Sequence, residues 1–565
     1  MNQLRDAHED EVFRKNVNKY VDALLMELKA RQFYKEASAL GTMHTQAASV
    51  FFESCIKNIE EIFSPHLNSY SAMRWFFYFR RLPNAIFAGS LNSTLPNARA
   101  LIETYASQSK KADAVSYSQN GFVFALDDSA LRHIARFVAF CNIIYELQVE
   151  CRFANKGFSY SFVSARDVLP RRNSDREKYE AVKVYDQRHN LPRTFLSAAL
   201  VQTGLASGHP TSGAEKIASS SLIFWGLSDE KNIRPADFLP KDYYRDFLAK
   251  FGENGRMIGR YGPSHMNLEV LFDIYRRPSM SMHSISENAT LSLISLLLGG
   301  MVLNQQPLSL LRVVELGYFI IPHQFWTDFS AANYEAVCEK VRTYLPQFIA
   351  PCSVDDFHAS VAEYYSSTWP LVHGNPIRIT DSYVCVDMWA ASTGFLNGIR
   401  FPTAQGRIAN DRAERFEDVV QEALDRTPWA DDETRALRQK TLRYRGKALT
   451  DIDAIGSRKG TLLIISCKSI PYTLAYDKGE HRAIRNVEAT TTAAVQHWHA
   501  IVEHLQKNPV GENYDFSKFE RIVGVVCTPF VVYTAAVSSL MPVYSNLRPV
   551  SSLEELVTWM DSDAV

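Results

Sequence analysis

The stretch DIDAIGSRKGTLLIISCKS, residues 451–469, decides how this chain is read. Its apolar run TLLIIS leads into Lys468, and Lys468 follows Asp453 by fifteen positions. Period-two patterning and turn residues predict a strand ALTDIDAIG (448–456), a turn SRKG and a strand TLLIISCKS (461–469). Side chains alternate along a strand, so Asp451 and Asp453 share one face, Ser466 and Lys468 share one face, and Cys467 points with Ile465 to the apolar side. A short turn then makes the two strands neighbours and brings the acid and the ammonium to one edge of the sheet. A carboxylate and a main-chain carbonyl are the oxygen donors that Mg²⁺ prefers. An ammonium beside them positions a metal-bound water and neutralises phosphate charge. A lysine at a strand end is otherwise a solvated edge charge that discourages aggregation. The paired aspartate is what separates Lys468 from that reading.

Outward from this pair, ERFEDVVQEALD (414–425) predicts a helix with Phe416, Val419, Val420, Ala423 and Leu424 on one face. LRQKTLRYRG (437–446) has strand character, 480–507 a long helical pattern, RIVGVVCTPF (521–530) that of a buried strand, and LEELVTWM (553–560) that of a closing helix. The glycine and proline of FPTAQGRIAND (401–411) mark a linker. These elements predict an α/β domain over 396–565, a central mixed sheet flanked by helices. Residues 1–395 read as a mostly helical region of unassigned role. Helical spacing is clear at 18–30, 48–63 and 131–148, and ATLSLISLLLGGMVL (289–303) reads as a buried core helix, too short to span a bilayer. The polar stretch 167–193 is a long loop or a solvated helix pair, and PIRITDSYVCVD (376–387) has strand character.

Composition sets outer bounds. With 61 basic and 62 acidic residues in 565, any nucleic-acid surface is a local patch. Eight cysteines without a CxxC pair argue against a zinc finger or a disulfide framework and suit the reducing cytoplasm. The polar start MNQLRDAHEDEVFRKN lacks the apolar core of a secretion signal, and no membrane span is expected. His481, His497, His499 and His504 lack a matching cysteine or carboxylate set and read as a solvated helix face. SAMRWFFYFRRL (71–82) interleaves arginines with aromatics; a core helix with snorkelling arginines is preferred to a base-stacking surface. GHPTSGAEK (208–216) has Ala214 and Glu215 where a phosphate-binding loop needs lysine and serine or threonine.

Glu417 in RFEDVV, Asp453 in DIDAIG and Lys468 in IISCKS, in that order, resemble the PD-(D/E)XK nuclease superfamily and its restriction-endonuclease-like fold. FE at the helix start is similar to the opening of Mrr-type domains, and Gln496 stands where RecB-like members carry a glutamine, though Ala500 replaces the tyrosine expected after it. The resemblance covers the C-terminal domain alone. It implies an Mg²⁺- or Mn²⁺-dependent endonuclease, with DNA preferred to RNA, serving nucleic-acid defence or repair. Asp453, Glu417 and the Cys467 main-chain carbonyl are the implied metal donors, and Lys468 the residue that positions water. Ser466 departs from the pattern by replacing the acid of (D/E)-X-K. Members with a serine there draw the acid from the following helix, where Glu480 and Glu488 are the candidates, while Asp451, Ser466 and Gln496 take supporting places. Arg445, Lys447, Arg458, Lys459, Arg482 and Arg485 are the expected phosphate contacts. The helical region is left to select substrate, or to mediate a homodimer or partner contact. The alternative is a degenerate nuclease fold that binds nucleic acid or assembles without cutting, or a helical interaction protein with a structural C-terminal module.

Overall fold

Phe13, Val17, Leu24 and Leu28 recur at helical spacing and are all buried, which fixes the inward stripe of the first helix. The computed structural model describes residues 11–80, 95–111, 127–164, 168–188, 316–344, 408–470, 473–477, 479–534 and 544–562, residue 355, and short strands at 117–118, 121–122, 221–225, 262–266, 377–379 and 383–387. The expected helix at 289–303 and the glycine stretch at 208–216 lie outside them.

In the N-terminal region, helices α1 (Glu11–Ala30), α2 (Thr45–Leu67), α3 (Ala72–Phe79), α4 (Leu95–Ser107) and α5 (Asp128–Asn155) share one core. Helix α5 is buried around most of its circumference, as its unusually apolar sequence requires, and α1, α2 and α4 pack against it. Phe63 of α2 stacks on Phe140 of α5 with centroids 4.1 Å apart. Helix α3 is the arginine–aromatic stretch, and five consecutive residues, Trp75 to Phe79, are buried, so the core-helix reading holds. Within the stretch expected as loop or helix pair, residues 176–188 are helical (α6), and Arg188 is buried against the C-terminal module. Strands β1 (Tyr318–Pro322), β2 (Ile377–Ile379) and β3 (Tyr383–Asp387) make an antiparallel sheet with β3 in the middle.

The C-terminal module begins with α7 (Ile408–Asp425), which takes in the end of the stretch expected as linker. Strands β4 (Thr441–Tyr444) and β5 (Lys447–Asp451) form a separate hairpin, and β6 (Ala454–Arg458), β7 (Thr461–Cys467), β8 (Arg521–Thr528) and β9 (Val550–Ser552) form a mixed sheet in that order. β6 and β7 are antiparallel, while β7, β8 and β9 run parallel. Between β7 and β8 lies α8 (His481–Lys507), and α9 (Leu553–Asp561) closes the module behind a capping box of Ser552 and Glu555.

The strand expected over 448–456 is broken. The Ile452 carbonyl accepts the Gln439 N–H (2.9 Å) and the Asp453 carbonyl accepts Arg438 Nε (3.0 Å), so a loop takes the hydrogen bonds that a strand partner would have used. The turn is tighter than SRKG. Only Lys459 and Gly460 form it, both with positive φ (47° and 75°), as a two-residue turn matched to strand twist demands.

Alternation sorts β7 cleanly. Leu463, Ile465 and Cys467 join α7 and α9 in one core, while Leu462 and Ile464 join α8 in the other. The sheet is therefore a middle layer between helices. Gly456 in β6 marks the closest approach: a Cβ there would meet the Trp429 carbonyl oxygen at 2.4 Å and Leu424 Cδ2 at 2.6 Å. Gly456→Ala is expected to destabilise the chain by about 1–3 kcal/mol. A urea titration checks this, with a lowered midpoint at unchanged slope.

The two regions are packed together. Arg188 donates Nε and Nη2 to the Glu555 carboxylate (2.7 and 2.9 Å), and Tyr476, Ile484 and Tyr533 join the core of α1–α5. Among the described residues, no helix is long and apolar enough to cross a membrane, and the seven cysteines are buried free thiols.

Candidate active site

Asp453 sits in the gap between β5 and β6, one residue before the Ala454–Ile465 pair, and so lies across from Ser466. Its Oδ2 accepts the Cys467 N–H at 2.6 Å and the Ser466 hydroxyl at 3.4 Å. Lys468 is the first residue past β7, and its N–H donates to the Cys527 carbonyl (2.8 Å), which fixes the chain direction as it leaves the sheet. Both residues stand at the carboxyl ends of the parallel strands β7 and β8, where open α/β sheets place their ligands.

Glu417 arrives from α7. Phe416 and Val420 bury that helix against the sheet, leaving Glu417 half-buried at the rim. One turn later, Gln421 is buried and fixes the helix: its Oε1 accepts the Ile455 N–H (3.0 Å) and its Nε2 donates to the Ile455 carbonyl (3.1 Å). This amide satisfies an edge position of β6 as another strand would. Arg438 completes the rim by bonding the Asp453 carbonyl and the Asp418 carboxylate.

Charge couples these groups. Burial raises the Asp453 pKa, against the Cys467 N–H, the Lys468 charge and the Ser466 hydroxyl. Burial also raises Glu417, and the Asp453 charge adds to it while Arg438 and Lys468 oppose. Burial pushes the Cys467 thiol far up, so this side chain is a packed apolar group and not a nucleophile. Asp453 thus lies across the hairpin from Ser466, and the Asp453 and Lys468 charges both act on Glu417. Arg438 and Gln421 were missed: a lone arginine three residues before a strand and a mid-helix glutamine carry no pattern of their own.

Two half-buried carboxylates, with the Asp453 charge disfavouring ionisation of Glu417, form a donor set suited to a hard divalent cation. Among the described residues no group of three or more His, Cys, Asp or Glu side chains gathers to hold a metal. An ion here would rest on Asp453, Glu417, a main-chain carbonyl and solvent or substrate oxygens, which is the sparse protein ligation that Mg²⁺ tolerates.

The remaining expected residues have varied surroundings. Asp451 accepts the Thr441 hydroxyl across the hairpin, and its charge reaches Asp453. Glu480 is exposed just before α8, and its charge acts on Cys151 of α5. Glu488 is half-buried, where its charge reaches Tyr476 and Tyr533 at the junction with the helical region. Gln496 faces solvent, because Val495 and Trp498 take the sheet-facing positions of α8. Arg458 and Lys459 are corrected: the seven-residue strand β7 separates their turn from Lys468, roughly 23 Å at about 3.3 Å per residue. Arg458 donates instead to the Ser562 carbonyl. Arg445 and Lys447 flank the β4–β5 turn, whose Tyr444 hydroxyl bonds Asn508 at the far end of α8. Helix α8 runs against β7, with Trp498 over the Ile464 carbonyl and Gln506 over that of Ile522. Its first turns, carrying the exposed Arg482 and Arg485, thus lie toward the Lys468 end. His499 pairs with Glu503 at 3.5 Å, while half-buried His504 packs edge-on to Tyr444, so the four histidines do not all lie on a solvated face. No family model, no curated protein and no solved structure matches this chain.

Proposed function

We propose that this chain is a metal-dependent nuclease that hydrolyses phosphodiester bonds in DNA, in preference to RNA, and acts in the cytoplasm in nucleic-acid defence or repair. The observation that carries the reading is the convergence of Glu417, Asp453 and Lys468 at the carboxyl ends of β7 and β8. The mixed sheet between two helical layers, with an acid on the preceding helix, supports a PD-(D/E)XK-type fold for the C-terminal module.

Asp453, Glu417 and the Cys467 carbonyl would hold Mg²⁺ or Mn²⁺, which supplies Lewis-acid polarisation of a phosphate oxygen and a more acidic bound water. Lys468 places an ammonium where a scissile phosphate enters, so it neutralises that group and orients the attacking water by hydrogen bonding. Ser466 and the Cys467 N–H hold Asp453 in a single rotamer. Arg482 and Arg485 offer phosphate contacts from the start of α8.

A second reading rests on Ser466. Where the family pattern has a second acid, this chain has a hydroxyl bonded to Asp453, which favours a module that binds nucleic acid without cutting it. Plasmid DNA incubated with the purified chain and Mg²⁺ or Mn²⁺ separates them. Nicking or linearisation that disappears with EDTA and in Asp453→Asn is the expected outcome; DNA binding without cleavage in any divalent metal replaces the nuclease by the binding module.

A further inference from the structure

The site above leaves unused a flank of the helical bundle where arginines gather over histidine and tyrosine rings. Arg136 of α5 brings Nη1 to 2.7 Å from His66 Nδ1 and lies 4.8 Å from the centroid of the Tyr20 ring. Arg74 covers the Tyr70 ring at 4.0 Å and donates Nε to the Tyr78 hydroxyl (2.9 Å). The His133 ring meets the same Tyr70 ring at 5.1 Å, so these groups form one continuous surface. The segment after α4 is tied to it as well: the Ser109 hydroxyl donates to the Tyr70 carbonyl and Lys111 Nζ to the Ser69 carbonyl, both at 2.6 Å. Lys110 and Arg132 stand exposed beside them.

Burial lowers the pKa of both His66 and His133, and repulsion by Arg136 is the next cause for each. The Asp127 carboxylate opposes the shift of His133. Arg136, Arg132 and Arg74 all act on His133, so three guanidinium charges gather here, and a bound anion offsets their mutual repulsion.

We infer that this flank is a second nucleic-acid contact, which grips the sugar–phosphate backbone of DNA without reading its sequence. Tyr70 and Tyr78 are buried beneath the arginine, so no base can stack on them and the exposed chemistry is guanidinium and ammonium. Guanidinium groups take phosphate oxygens bidentately. With 61 basic against 62 acidic residues in the chain, this charge is local and not a general cationic excess. The choice of nucleic acid among polyanions rests on the proposed nuclease reading. Arg136 and Asn155, which bonds Gly479 where α5 meets the C-terminal module, are nineteen residues apart, about 28 Å along a helix. The surface is thus separate from the catalytic groups and acts on affinity alone.

The test is fluorescence anisotropy of the full chain with a labelled random-sequence DNA duplex over a range of salt. Arg132→Gln with Arg136→Gln is expected to weaken binding about tenfold at low salt and to flatten the dependence of log K on log salt by about 1.8, two phosphate contacts at about 0.9 each. Arg132→Gln alone, at an exposed position, cannot disturb the core and is expected to flatten it by about 0.9. Variants that bind with wild-type affinity and slope overturn the inference, and if the wild type still cuts DNA the nuclease reading survives that failure. Weakened binding by the variants of a chain that cuts nothing keeps the inference and removes the nuclease. A wild type that ignores DNA but sediments with phosphatidylserine vesicles also overturns it.

Discussion

Lys468→Ala is expected to slow single-turnover cleavage about 10²–10³-fold, the loss that follows removal of one preorganised charge from a transition state, while DNA affinity changes only a few-fold. The reasoning is geometric. Lys468 leaves the sheet at the point where its N–H still pairs with Cys527, so its side chain starts from a fixed backbone. Its charge acts on Glu417, Asp453 and Cys467 together, and the residue is part-buried. A phosphate contact elsewhere adds to binding in ground and transition states equally, whereas this ammonium meets charge that develops on the reacting group. Lys468→Arg is expected to recover little, because a planar fork cannot stand in for a compact ammonium at a water-positioning site. The checks are rates at saturating metal, affinity in Ca²⁺ and circular dichroism. A variant that cuts at the wild-type rate removes Lys468 from the reaction and leaves the strand-end charge as its whole role.

Much of this site was legible because its signals are local. A continuous apolar run bounded by turn residues fixes β7, and that strand carries Ser466 and leads into Lys468. The helix bearing Glu417 follows from the spacing of Phe416, Val420, Ala423 and Leu424. What failed is whatever depends on partners distant in sequence. The break at Ile452 and Asp453 arises because Gln439 and Arg438 take backbone carbonyls there, and no propensity of DIDAIG announces that. The same limit misplaced the basic residues: Arg458 and Lys459 are close to Lys468 in sequence, yet a hairpin reverses the chain and puts them at the opposite end of the strand. Nearness along the chain measures distance from a site only when no strand lies between. The helical region shows the other side of this rule. Its core helices follow from spacing, but a buried ion network joins residues 80, 103 and 387 and could not be seen in any window.

That network carries the largest stability effect expected in the chain. Arg80 is fully buried at the end of α3, with Nε and Nη2 on the two oxygens of Glu103 (2.6 and 2.8 Å), Nη2 also on Asp387 (2.8 Å) and Nη1 on the Leu316 carbonyl (3.0 Å). Glu103 and Asp387 are buried too, at 3 and 0 % exposure, so two carboxylates share one guanidinium away from water. The desolvation of three charges makes the net worth of such a set small, but removing one partner strands the others. Arg80→Met keeps the volume and apolar contact with Phe76 while leaving two like charges in the core. It is expected to cost about 3–5 kcal/mol. Arg80→Met combined with Glu103→Gln and Asp387→Asn is expected to regain most of that loss, since neutral amides end the mutual repulsion. Chemical denaturation of the single and triple variants measures both. A single variant within about 1 kcal/mol of wild type would mean that the carboxylates protonate and stay, and that the arginine tethers α3 to β3 without holding the core together.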